Sequence, residues 1–163
     1  MGKIKNLIIH CADTPASFDV DKTDIEKWHL QERGWSRVGY QLLVKRSGEL
    51  QILIPFDRTD NITIDELANG AKGFNSNSFH MCWAGGKDNE DNRTDEQKAT
   101  MAAVVKMLVM LWPDLKVLGH QQINMHKYCP SFNVPRWMES LGIDDKNIDF
   151  NNHEDNATYK YFE

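Results

Sequence analysis

The stretch VGYQLLVKRSGELQILIP, residues 38–55, decides the fold. Two strand-like segments, 38–46 and 49–55, flank Ser47 and Gly48, the pattern of a hairpin with a two-residue turn. A hairpin forces one antiparallel strand pair. The rest of the chain alternates strand and helix patterns around it, so the predicted class is α/β, a central mixed β-sheet flanked by α-helices in a single domain.

Upstream, residues 4–10 are rich in isoleucine and leucine and read as a buried strand ending at His10, with Thr14 and Pro15 as breakers. Residues 21–33 open with Asp and Thr capping residues, space Ile25, Trp28 and Leu30 roughly along one helical face, and stop at Gly34. Downstream, residues 56–78 are polar and carry Gly70, Gly73, Asn75 and Asn77, which predicts surface loop with one helical turn at 65–69. Residues 79–84 read as the next strand. Thr94 and Gln97 frame a capping box, and Met101, Val104, Val105, Leu108 and Leu111 follow at helical spacing until Pro113. Val117 and Leu118 form a brief strand, and 134–141 a short amphipathic helix. Beyond Gly142 the composition turns to Asp, Asn, Glu and Lys until Tyr159, Tyr161 and Phe162. The predicted organisation is a domain over 1–142 and an acidic tail over 143–163, mobile or loosely docked.

A chain of 163 residues can bury a core without disulfide staples. Its net charge of -5 and pI of about 5.7 argue against nucleic acid or an anionic membrane as a partner held by bulk charge. Cys11, Cys82 and Cys129 are odd in number and lack scaffold spacing, so reduced thiols are expected. Near the N-terminus the only apolar run is 7–9, too short for a signal-peptide core or a bilayer span. The expectation is a monomer made in the cytoplasm.

Reactive chemistry concentrates in GHQQINMHKYCPSF, residues 119–132, which reads as too irregular for helix or strand. His10 ends one predicted strand, His120 comes just after another, and Cys129 stands nine residues later, so these three could meet at one edge of the sheet. Two imidazoles and a thiolate suit Zn2+, and three protein ligands leave a fourth tetrahedral position open, as in catalytic sites. Taken singly, each is an ordinary polar residue at an element end. His120, His126 and Cys129 form a local rival set that spacing does not exclude. Cys11 should face away from His10 into the core, and Cys82 should be a buried small hydrophobe.

The segments IIHCADT, RGWSRVGYQLLVKRSGEL, AKGFNSNSFHMCWAGG and GH followed by KYCPSF resemble the type 2 N-acetylmuramoyl-L-alanine amidase family, in particular its phage zinc-amidase lysozymes. The resemblance runs over 4–141, and the fold it implies is shared with the peptidoglycan recognition proteins of animals. It implies zinc on His10, His120 and Cys129, catalytic roles for Tyr40 and Lys127, and hydrolysis of the bond between N-acetylmuramic acid and L-alanine in peptidoglycan. The 120–127 loop is a residue longer than in those lysozymes, and His126 lies outside their pattern. Without the resemblance, Tyr40 would be a core or edge aromatic and Lys127 a solvated charge.

Asn75, Asn77 and His80 are candidate contacts to stem peptide or glycan. Trp28, Trp35, Trp83 and Trp137 are candidates for a sugar groove or for core, with Trp28 assigned to core. His29 and His153 receive no role. A muropeptide-recycling amidase and a non-catalytic peptidoglycan-binding module are the alternative functions; Cys129 argues against both, since such relatives replace it by aspartate or lose it. A phage-type enzyme lacking an export signal would wait for release by a separate membrane-permeabilising protein.

Overall fold

The computed structural model describes residues 2–153. Strands β1 (Asn6–Cys11), β2 (Leu42–Val44), β3 (Leu50–Ile52), β4 (Ser78–Trp83) and β5 (Lys116–Gly119) form a five-stranded sheet in the order β3-β2-β4-β1-β5. Every neighbouring pair is parallel except β2 with β3. The helices are α1 (Lys22–Glu26), α2 (Asp95–Leu111), α3 (His120–Ile123) and α4 (Val134–Ser140). Among the described residues no helix is long and apolar enough to cross a membrane.

The antiparallel pair is the predicted hairpin, but its turn differs. Gly48 donates its N–H to the Lys45 carbonyl at 2.9 Å, and Lys45 donates to Glu49 at 2.9 Å. The reversal therefore occupies residues 45–48, with Gly48 in the left-handed region at φ +84°. The strands are also shorter than predicted, because the backbone of 38–41 is spent elsewhere. Gly39 donates to the His29 side chain and Gln41 to the His80 carbonyl.

A parallel sheet covered on both sides needs apolar residues on both faces, and strands β1 and β4 supply them. Alternation sorts the side chains. Leu7, Ile9, Leu42, Val44, Phe79, Met81, Trp83 and Val117 pack with Met101, Val104, Val105 and Leu108 of α2 in one core. On the other face Leu43 and Cys82 join Val20, Ile25 and Val38, while Ile8 and Leu118 meet Ile123. Helix α2 starts at the predicted capping box, Thr94 accepting from the Gln97 N–H at 3.0 Å and Gln97 returning the bond.

Three expectations need correction. The helix after Asp21 does not carry Leu30 inward. It changes to π winding over Lys27–Glu32, with Arg33 donating to the Trp28 carbonyl five residues back, so His29 is buried and Leu30 is exposed. The reactive loop does contain helix, the single turn α3. Residues 143–153, predicted as part of a loose tail, are docked: Ile143 and Ile148 are buried, Ile148 bridges to Val117, and Asn147 donates to the Pro113 and Leu115 carbonyls. Asp149 donates to the Val117 carbonyl, and Gln122 donates to the Asp149 and Asn151 carbonyls, so hydrogen bonds complete what two apolar side chains begin. Tyr159, Tyr161 and Phe162 lie outside the described residues.

The hairpin turn can be tested against a second left-handed glycine. A Cβ at Gly34, φ +68°, meets nothing within 4 Å, whereas one at Gly48 would lie 2.9 Å from the Glu96 carbonyl oxygen at the start of α2. In urea unfolding Gly34→Ala should cost about 1–2 kcal/mol, the left-handed penalty, and Gly48→Ala clearly more. Equal costs would show that α2 does not constrain the turn.

Candidate metal centre

His10 is the penultimate residue of β1 and lies on the sheet face opposite the α2 core. β5 runs alongside β1 as far as Ile9 opposite Gly119, and the next residue is His120, the first of α3. Only glycine fits at the end of β5: a Cβ on Gly119 would lie 2.9 Å from Pro130, which rests on the strand end. The loop carrying Cys129 is pinned from several sides. Gln121 donates to the Cys129 carbonyl, Trp83 Nε1 to the Pro130 carbonyl at 3.1 Å, and Ser131 Oγ to the Gly86 carbonyl at 3.0 Å. The Cys11 N–H donates to Cys129 Sγ at 3.2 Å.

The ligand atoms of His10, His120 and Cys129 all lie within 4.8 Å of one another, with Cys129 Sγ 3.6 Å from His10 Nδ1. Zinc–nitrogen and zinc–sulfur bonds in tetrahedral geometry separate ligand atoms by roughly 3.3–3.7 Å, so the cluster fits the ion with small adjustments. Among the described residues this is the group that could hold a metal. His126 is exposed on the cleft wall and does not belong to it.

The electrostatics favour neutral imidazoles. Burial, then the neighbouring His120, His80 and His29, hold His10 well below the usual histidine range. Burial and the Lys127 charge bring His120 down to about 4, and burial brings His80 to about 3. Free lone pairs are what a metal needs. Burial pushes the Cys129 thiol up, so its thiolate form requires a nearby cation. Burial likewise raises the Tyr40 phenol, which therefore remains a hydrogen-bond donor.

The cluster forms the floor of a cleft of about 940 Å³. Arg33, Trp35 and Tyr40 line one part of it, and Lys127, Tyr128 and the turn Lys87–Asn89 another. The Tyr40 ring lies 5.1 Å from that of His10. Of the four tryptophans weighed as sugar contacts only Trp35 lines the cleft; Trp83 is fully buried, Trp28 packs with the second core, and Trp137 packs against Phe132. None of Asn75, Asn77 and His80, the candidate substrate contacts, lines the cleft. Asn77 immediately precedes β4, at the opposite end of the strand from the cleft. Asn75 is engaged with the Ala71 N–H and Asn69, and His80 is fully buried.

Sequence reasoning missed two residues beside the site. His29 accepts the Gly39 N–H at 3.0 Å and packs its ring against Tyr40 and Trp35, so it holds the segment that presents Tyr40. Cys11, on the core face as expected, also touches the site through its backbone and through Sγ, 3.5 Å from Ser131 Oγ. A histidine followed six residues later by a tryptophan gave no periodic signal for the first; only the π winding reveals it.

The profile of the family described as N-acetylmuramoyl-L-alanine amidase matches residues 1–132. The endolysin of Enterobacteria phage K11 is 31% identical over 136 residues, covering 81% of this chain and 83% of that one. Among solved structures, the N-acetylmuramoyl-L-alanine amidase LysC of Clostridium intestinale superposes with a TM-score of 0.70 at 19% identity, over 87% of each chain. Bumblebee PGRP-SA superposes with a TM-score of 0.71 at 16% identity, over 93% of this chain and 87% of its own. The last two likenesses speak for the fold.

Four depressed histidines make stability depend on pH. His10, His29, His80 and His120 stay neutral when folded and take up protons near pH 6.5 when unfolded, so the unfolded chain binds more protons below that pH. Stability of the chelator-treated protein should be full above pH 6.5 and fall between about 6.5 and 4. The expected slope exceeds the roughly 1.4 kcal/mol per pH unit that one histidine supplies. Urea unfolding across this range checks it; a flat profile between about pH 7 and 5 would contradict the buried neutral state.

Proposed function

The chain belongs to the N-acetylmuramoyl-L-alanine amidase family, and from that membership we propose how this peptidoglycan amidase, an endolysin, performs its hydrolysis. The bond cut joins the lactyl carbonyl of N-acetylmuramic acid to the nitrogen of L-alanine. The observation that carries the mechanism is the convergence of His10, His120 and Cys129 within 4.8 Å on the cleft floor. We assign these three residues to zinc, the domain to residues 1–142, and the region 143–163 to a C-terminal extension.

A zinc ion held by His10, His120 and Cys129 would supply Lewis acidity toward the amide carbonyl and would lower the pKa of water toward neutrality. Tyr40 and Lys127 act on the substrate. Tyr40, whose phenol burial keeps protonated, donates a hydrogen bond to the oxygen that gains negative charge as the carbonyl becomes tetrahedral. Lys127, on the exposed rim of the same cleft, brings a positive charge to that oxygen or a proton to the departing alanine nitrogen. The walls around Trp35 and the Lys87–Asn89 turn confine the muramyl peptide. A net charge of -5 does not favour nucleic acid or an anionic membrane as partner, and the enzyme works as a monomer made in the cytoplasm and released to the wall.

Incubation with purified peptidoglycan, with and without a chelator, tests this reading. New L-alanine amino termini without new reducing sugar ends, abolished by the chelator and restored by zinc, are expected. New reducing ends, or cleavage indifferent to chelation, would overturn it. A recycling amidase would instead prefer small soluble muropeptides to intact wall, so the ratio of the two rates separates these biologies.

Metal analysis should find about one zinc per chain, lost in His10→Ala and Cys129→Ala and kept in His126→Ala. Retention in His10→Ala together with loss in His126→Ala would move the site into the loop. Lys127→Ala and Tyr40→Phe should each lower turnover by roughly 100-fold or more while zinc content and unfolding midpoint stay those of the parent. Unchanged rates in both would remove these residues from the chemistry.

A further inference from the structure

His80 is a fully buried histidine in the middle of β4, one pairing step from the proposed metal ligand. Its Nδ1 lies 3.0 Å from His10 Nε2, the ring nitrogen remote from Cys129. Its other nitrogen, Nε2, is buried without a hydrogen-bond partner among the described residues. An unpartnered buried N–H carries its full desolvation cost, so packing alone is a poor reason to keep an imidazole here.

The surroundings are built around this ring. Gln41 clasps the His80 backbone from both sides, its Oε1 accepting the His80 N–H at 2.8 Å and its own N–H donating to the His80 carbonyl at 3.1 Å. The Gln41 amide is anchored in turn to the Glu66 carbonyl at 2.8 Å. Gly70 clears the remaining space: a Cβ there would lie 2.5 Å from His80 Nδ1 and 2.5 Å from the Gly39 carbonyl oxygen.

We propose that His80 is a positioning residue for the metal centre, an outer imidazole that accepts the Nε2–H of His10 and thereby turns the His10 Nδ1 lone pair toward the ion. The inference rests on the zinc ligands assigned above. Only one pair of tautomers serves. If Nδ1 of His10 binds metal, its proton sits on Nε2 and must be donated; His80 accepts through Nδ1, which leaves the His80 proton on the unpartnered Nε2. The opposite arrangement places a proton on His10 Nδ1, facing Cys129, and blocks coordination. Partners of this kind orient a ligating imidazole and raise its basicity, and their loss typically weakens metal affinity about 10–100-fold.

Zinc affinity of the full chain, read by competition with a chromophoric chelator, tests the proposal without reference to activity. His80→Leu fills much of the space but accepts nothing; His80→Asn can place an amide oxygen where Nδ1 stands. The expected result is zinc binding weakened roughly 10–100-fold in His80→Leu and restored to within about threefold of the parent in His80→Asn. His80→Met serves as the apolar variant should leucine prevent folding. Urea unfolding of the metal-free proteins checks that each variant is folded before its zinc affinity is read. Parent-like affinity in the apolar variant, or an Asn variant no tighter than Leu, would overturn the positioning role and leave the ligand assignment standing. A parent chain that binds no zinc would overturn the metal centre and the inference together.

Discussion

The insertion of β1 between β4 and β5 is the constraint on which the rest of the molecule depends. Both pairings are parallel, so the C-terminal ends of three strands open on the same side of the sheet. Side chains alternate with a period of two, and the register sets which of them look into the cleft. With His10 opposite Cys82 and Ile9 opposite Gly119, His10 meets the first residue after β5 and lies above His80. A slip of one residue would send His10 into the α2 core and bring Ile9 or Cys11 to the cleft floor. The apolar residues flanking His10 on β1 oppose such a slip, since each would exchange a buried face for the wrong one.

Burial then gives the site its character. Removing His10, His80 and His120 from water disfavours their charged forms more than any single neighbour does. The same desolvation raises the Cys129 thiol and the Tyr40 phenol. Without a cation the floor of the cleft is therefore an uncharged set of donors and acceptors. A divalent ion would reverse the preference at one position, the thiol, and would leave the imidazoles neutral. Much of the electrostatic preparation is made by the fold before any ligand arrives.

The sequence carried the architecture where a local rule governs it. The hairpin, the Thr94 capping box and the apolar runs of β1 and β4 were all readable, because turn residues, caps and burial leave marks within a few positions. The site was harder. Spacing left the sets His10–His120–Cys129 and His120–His126–Cys129 open, because nothing local says that β1 neighbours β5; the family resemblance favoured the first, and the pairing of Leu7 with Val117 brings its members together. His80 was read as a substrate contact and is a buried partner of His10, since the adjacency of β4 and β1 is again tertiary. Residues 143–153 looked like tail because they hold few apolar side chains, yet Ile143 and Ile148 are buried and hydrogen bonds from Asn147, Asp149 and Gln122 dock the segment.

Rigidity is distributed unevenly over the cleft, in a way that suits the assigned roles. Two of the proposed ligands come directly from strand ends, and the third sits on a loop tied to the sheet by the Cys11 N–H, by Trp83 through the Pro130 carbonyl, and by Ser131 through Gly86. A loop so fastened positions Cys129 nearly as firmly as a strand would, which lowers the ordering cost of binding an ion. The same loop leaves His126, Lys127 and Tyr128 exposed, with Tyr128 at 69% of its full accessibility. The ion needs fixed geometry at all times, whereas a charge that meets a bulky polymer needs reach. Fastening the loop at Cys129 while leaving the side chains of 126–128 exposed gives one short segment both properties, and accounts for the reactive chemistry gathered between Gly119 and Phe132.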